Sequence, residues 1–207
     1  MEVYYYVPAS EASYAVECGL KLSRWHDREV VIDGAVKKCL AALLNPKDDM
    51  DKYKSPDLKC LKLEISANYC HIADRYLYEL GKDNPLLADM YTNTIRPAAG
   101  YIFGSFRLPE CLVASTVIGG YIKVLDRRID SPVLFENSED LYINNIIEAG
   151  KEMHDDFGDA MLYYFFCRLA ESGKIDKIED VKRGVAVFMD KRDGKYYTLK
   201  VPDIEKY

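Results

Sequence analysis

Arg107-Leu108-Pro109-Glu110-Cys111-Leu112-Val113 is the stretch on which the reading of this chain turns. Pro109 has no backbone N–H, so it belongs at the edge of an element rather than inside one. Cys111, Leu112 and Val113 then read as the start of a buried strand. Glu110 falls at the mouth of that strand, where a carboxylate is partly desolvated, with Arg107 three residues upstream. Such a carboxylate suits a working acid. It equally suits an ordinary surface glutamate paired with Arg107, which is the plainer of the two readings.

Outward from that strand, the chain mixes short strands with short helices. Val3 to Val7 is β-branched and aromatic and closes at Pro8, which predicts an opening strand. Ala9 to Cys18 carries apolar residues at helical spacing and stops at Gly19. Arg24-Trp25-His26-Asp27-Arg28 reads as a polar loop around the only tryptophan. Asp33 is placed to cap a helix through Val36, Leu40, Leu43 and Leu44, and Lys47 to Pro56 is a charged loop. Leu58 to Ile65 alternates apolar and charged residues, the pattern of a half-buried strand. A helix is expected over 69–80, ending at Gly81, and another from Asn84-Pro85 through Met90. Tyr101 to Phe103 reads as a short aromatic strand. Gly119-Gly120 marks a turn between strands at 111–117 and 121–125.

After Asp130 the pattern becomes helical. Ser138 caps a helix through Ile147 that Gly150 interrupts, and a second helix runs to Leu169. Its run Met161 to Phe166 predicts burial around most of the circumference. A hairpin, Val185 to Met189 and Tyr196 to Val201, turns at Asp193-Gly194. Strands this short predict an α+β fold: a curved, largely antiparallel sheet with flanking helices, then a C-terminal helical pair and hairpin. The expected organisation is a single domain over 1–207, with residues 130–207 packed on the preceding part as an extension.

Composition narrows the function classes. The apolar share of 49% supplies a core, and the net charge of -6 argues against broad affinity for phosphate backbones. A local basic groove at Lys123, Arg127 and Arg128 competes with the simpler reading of a solvated strand end. No apolar run is long enough to span a bilayer. Met1 to Tyr6 lacks the basic start of a secretory leader, so a cytoplasmic protein without a membrane partner is expected. The six cysteines form no C-x-x-C pair and the three histidines lack ligand spacing, so neither a disulfide framework nor a metal site is predicted. Seventeen tyrosines are a heavy load. They suit half-buried packing at sheet edges, and also stacking on a base or nicotinamide.

The opening Tyr4-Tyr5-Tyr6-Val7-Pro8, the helix after it, and Cys18-Gly19-Leu20-Lys21-Leu22-Ser23-Arg24 resemble the start of ADP-ribosyltransferase-like proteins of the DarT and RNA 2′-phosphotransferase branches. There a strand bearing Tyr-His precedes a helix ending in Gly-Leu. Arg107 to Val113, ahead of Ile118 and Tyr121-Ile122-Lys123-Val124, resembles that fold's later glutamate-headed strand. The resemblance spans residues 3–126. It implies NAD as substrate and transfer of ADP-ribose to a nucleic acid or protein acceptor. Glu110 would be the catalytic carboxylate beside an oxocarbenium-like ribose. Arg24 or Arg107 would engage the pyrophosphate, and Tyr4 would pack on nicotinamide or ribose. Tyr5 stands where the family has its NAD-binding histidine, with His26 as a substitute in space. That departure favours the rival class, a non-catalytic interaction or ligand-binding domain on the same fold. The apolar helix face after residue 130 either buries internally or forms a homodimer interface.

Overall fold

A computed structural model describes residues 1–125 and 135–203. The chain forms two compact units, Met1–Asn145 and Ile146–Tyr207. The fold is α+β and every paired strand is antiparallel. No described helix is long and apolar enough to cross a membrane.

In the first unit β1 (Glu2–Pro8) leads into α1 (Ala12–Cys18) and α2 (Leu22–Trp25). A hairpin follows, β2 (Arg28–Ile32) and β3 (Ala35–Leu43). Then come α3 (Met50–Lys54), β4 (Leu58–Glu64), β5 (Cys70–Asp74), α4 (Arg75–Gly81) and α5 (Pro85–Thr94). The unit's remaining strands are β6 (Arg96–Pro97), β7 (Pro109–Val113) and β8 (Ile122–Val124). The eight strands run in the order β6-β5-β7-β3-β1-β4-β8, with β2 also on β3.

Several expectations are overturned here. Asp33 does not cap a helix. With Gly34 it turns the β2–β3 hairpin, both residues at positive φ (55° and 77°), as a two-residue turn of right-twisted strands demands. The apolar positions 36, 40, 43 and 44 fit a helix by count, but β-pairing with β7 on a shared buried surface decides against it. Residues 69–80 divide into a strand and a helix at Asp74, whose carboxylate accepts from the Tyr76 N–H and caps α4. Lys47 to Pro56 is not simply loop, since Asp49 caps α3 within it. Tyr101 to Phe103 is not a strand. Tyr101 is buried beside Phe106, whose N–H it accepts at 3.4 Å. β8 pairs with β4 and not with β7, so Gly119-Gly120 is not a hairpin turn.

The sheet carries a core on each face. Val3, Tyr5, Val7, Leu40, Ala42, Leu61, Leu63, Cys111 and Val113 pack under α1 and Leu20. On the other face Cys39, Ala73 and Leu112 pack against Ile32 and against Tyr91 of α5.

In the second unit α6 (Ser138–Met153, which begins in the first unit) is followed by α7 (Phe157–Glu171) and a three-stranded sheet. Its strands are β9 (Ile175–Asp180), β10 (Val185–Asp190) and β11 (Tyr196–Lys200). The hairpin is as expected, with β9 added. Gly150 does not break α6: the Phe157 ring lies where a Cβ would be. α7 buries Ala160 and Tyr163 with Phe188, but Met161, Leu162, Tyr164 and Phe165 are exposed, so it is not buried around most of its circumference. Long aromatic runs satisfy no single helix face, and a three-stranded sheet covers only one.

Candidate functional site

Glu110 sits second in β7, a central strand flanked by β3 and β5. It is fully buried, not a strand-mouth surface acid. Its partner is not Arg107, which pairs with Glu139 at 2.6 Å instead. Register explains this. Glu110 stands opposite Leu43 on β3, and Arg28 stands opposite Cys39. Leu43 and Cys39 point to the same face of β3, which brings Arg28 beside Glu110.

The Arg28 guanidinium donates to one Glu110 oxygen at 3.1 Å, and the Tyr91 hydroxyl donates to the other at 2.7 Å. Arg28 also lies 3.6 Å above the Tyr78 ring, a cation–π contact on the α4 side. Burial opposes its charge, but Glu110 and Tyr78 outweigh that and its pKa is raised. Burial, with Glu110 adjacent, raises the Tyr91 hydroxyl, so it stays a protonated donor. The Nε of Arg28 is buried without a hydrogen-bond partner among the described residues.

β1 and β3 meet only at Tyr4 and Leu43 and then diverge. Asp27 fills the fork. Its N–H donates to the Cys39 C=O at 2.9 Å, and its carboxylate accepts from the Ala41 N–H at 2.9 Å. The Tyr5 hydroxyl reaches the same place, donating toward the Trp25 C=O (3.1 Å) and the Asp27 carboxylate (3.2 Å). Burial and then Asp27 raise its pKa, so it too remains protonated.

A cavity of about 260 Å³ opens in this fork, with Tyr4, Tyr5, Arg28, Arg75 and Lys52 on its walls and Glu110 beneath. Its carboxylates are already engaged. Asp49 holds Arg75 (3.1 Å) and Lys52 (3.4 Å), Glu79 holds Lys82, and Asp27 and Glu110 are bound as described. Arg75 is fixed further by the Asp48 C=O at 2.6 Å.

Three of the residues singled out in the sequence, Tyr4, Tyr5 and Glu110, therefore converge on one cavity. Arg24 and Arg107 lie off it. Arg24 pairs with Glu11 at 2.7 Å and stacks on Tyr14. His26 stands 3.5 Å from Glu29 and does not replace the missing histidine in the fork. Lys123 of the suggested basic groove pairs with Glu64, while Arg127 and Arg128 lie outside the described residues. The sequence reading missed Asp27, Arg28, Arg75, Tyr78 and Tyr91 as site residues. Asp33-Gly34 was the available signal for the first two, because a hairpin turn there sets Arg28 across from Cys39. Comparison of the chain with protein-family models, curated proteins and solved structures gave no match.

Proposed function

We propose that the first unit is a non-catalytic ligand-binding domain, with the fork between β1 and β3 as its site. Its occupant is a small polar ligand that combines ribose-type hydroxyls with an anionic group. The state of Glu110 supports this reading: the carboxylate is fully buried and both oxygens already accept hydrogen bonds. A carboxylate that stabilises an oxocarbenium centre must touch the sugar, and Arg28 and Tyr91 occupy that reach. Arg75 and Lys52 offer the remaining donor capacity to an anion, and Tyr4 a ring and hydroxyl. A cavity of about 260 Å³ is smaller than the ~300–1,000 Å³ of drug-sized pockets. It suits a sugar phosphate better than a whole dinucleotide.

The second reading is ADP-ribosyl transfer from NAD to a nucleic acid or protein acceptor. The convergence of Tyr4, Tyr5 and Glu110 favours it. It requires Arg28 to leave Glu110 so that the carboxylate can meet the ribose.

Calorimetric titration of the full chain with ribose 5-phosphate and with NAD, beside an assay for nicotinamide release, separates the two. Ribose 5-phosphate is expected to bind saturably, with Lys52→Ala weakening it by about tenfold through loss of one cation–anion contact. NAD is expected to give no nicotinamide. Absence of saturation by either compound at millimolar concentration removes the fork as a ligand site. Nicotinamide release that disappears in a Glu110→Gln variant of unchanged circular dichroism replaces the binding reading with the transferase.

A further inference from the structure

A second cavity in the first unit is larger than the fork. It has a volume of about 620 Å³, within the range of small-molecule sites. Residues 1–2, 64–66, 69, 115–118 and 121 line it. Tyr69, Ile118 and Tyr121 supply its apolar surface, Ser115 and Thr116 its hydroxyls, and Glu64 a carboxylate.

The walls are locked while their side chains are not covered. The Ala114 N–H donates to the Tyr69 C=O at 2.9 Å. Leu20 and Val117 exchange two main-chain bonds, at 2.7 and 3.2 Å. Gly119 lies so close to the end of α1 that a Cβ there would overlap the Val16 C=O. On this frame Tyr69 and Tyr121 are each 53% exposed and Ile118 is 61% exposed. Large rings held outward on a fixed backbone lose little freedom on binding, so contact area converts to affinity at low entropic cost.

The polar groups of the wall select the ligand. Its two carboxylates, Glu2 and Glu64, each hold a lysine, Lys62 at 2.5 Å and Lys123 at 2.9 Å, and the Met1 ammonium gives one N–H to the Ile65 C=O at 2.6 Å. Lys123 holds the Glu64 carboxyl below its ordinary value, so it is ionised at neutral pH and acts as an acceptor. Hydroxyl, carboxylate and carbonyl groups accept hydrogen bonds from N–H donors.

We infer that this cavity is a second small-molecule site, independent of the fork, for a planar heteroaromatic ring bearing an exocyclic amine, with the rings of Tyr69 and Tyr121 as its stacking surfaces. Adenosine is the probe. Titrated calorimetrically into the full chain it saturates below millimolar concentration. Tyr69→Ala and Tyr121→Ala, both at exposed rings, keep the circular dichroism of the parent and each weaken adenosine by about tenfold, the loss of one stacking partner. Lys52→Ala leaves adenosine unchanged. Failure of adenosine to saturate at millimolar concentration overturns the inference. So does undiminished binding in both tyrosine variants. Loss of adenosine binding in Lys52→Ala assigns it to the fork and overturns it equally.

Discussion

Tyr91 and Glu110 come from different elements, α5 and β7, and meet at 2.7 Å on the face of the sheet packed under α5. With Arg28 as the second partner, the carboxylate ties the β2–β3 hairpin, the central strand and α5 into one buried network. A buried ion pair is weak evidence of net stabilisation, but breaking it from one side is costly, because the survivor is left charged and unpaired.

Glu110→Gln is therefore expected to cost about 3 kcal/mol in urea denaturation, since Arg28 stays buried without its counter-charge. Tyr91→Phe removes one charged hydrogen bond and costs about 1.5–2 kcal/mol. The double variant Arg28→Met, Glu110→Leu recovers most of the Glu110→Gln loss. A double variant less stable than Glu110→Gln would show that the network's geometry, not the unpaired charge, dominates.

Two neighbouring glycines separate close approach from backbone freedom. A Cβ at Gly119 would overlap the Val16 C=O, whereas one at Gly120 meets nothing within 4 Å. Gly119→Ala is expected to lower stability by about 2–3 kcal/mol through forced displacement of α1 from residues 117–119. Gly120→Ala should lie within about 0.5 kcal/mol of the parent. Thermal denaturation of the two variants checks this, and equal midpoints would contradict the packing described at Gly119.

His71 gives the stability a pH dependence. Burial lowers its imidazole pKa; Asp33 opposes this and Lys37 adds to it. Its Nδ1 is buried without a partner among the described residues. The unfolded chain, with a histidine near 6.5, binds the proton first as pH falls. The contribution is thus fully present above about pH 6.5 and is lost as pH drops toward the depressed folded value. His71→Gln should flatten that part of the stability profile measured by denaturant titration across pH 5–8. An unchanged slope would place the dependence elsewhere.

Strands with a strong local signal, whether alternation, β-branched and aromatic residues or a flanking turn, were legible in the sequence. β1, β4 and the β10–β11 hairpin carry local patterns that pairing merely completes. β3 was not, because Val36, Leu40, Leu43 and Leu44 satisfy helical spacing; the Asp33-Gly34 turn pairs its first half with β2, and β7, some seventy residues on, pairs the second. Glu110 was recognisable as an unusual carboxylate in an apolar run. Its partner was misread because Arg107 is near in sequence, whereas Arg28 is near only after the hairpin forms. Tyr91 left no local sign at all: its hydroxyl acquires a role only when α5 lies over β7.

The rung at Ala41 is made by a side chain. Here the Asp27 carboxylate stands in for a neighbouring strand's carbonyl. The Ala41 N–H thus depends on one carboxylate, and the same carboxylate accepts from the Tyr5 hydroxyl of β1, so a single side chain spans the gap that the two backbones leave open.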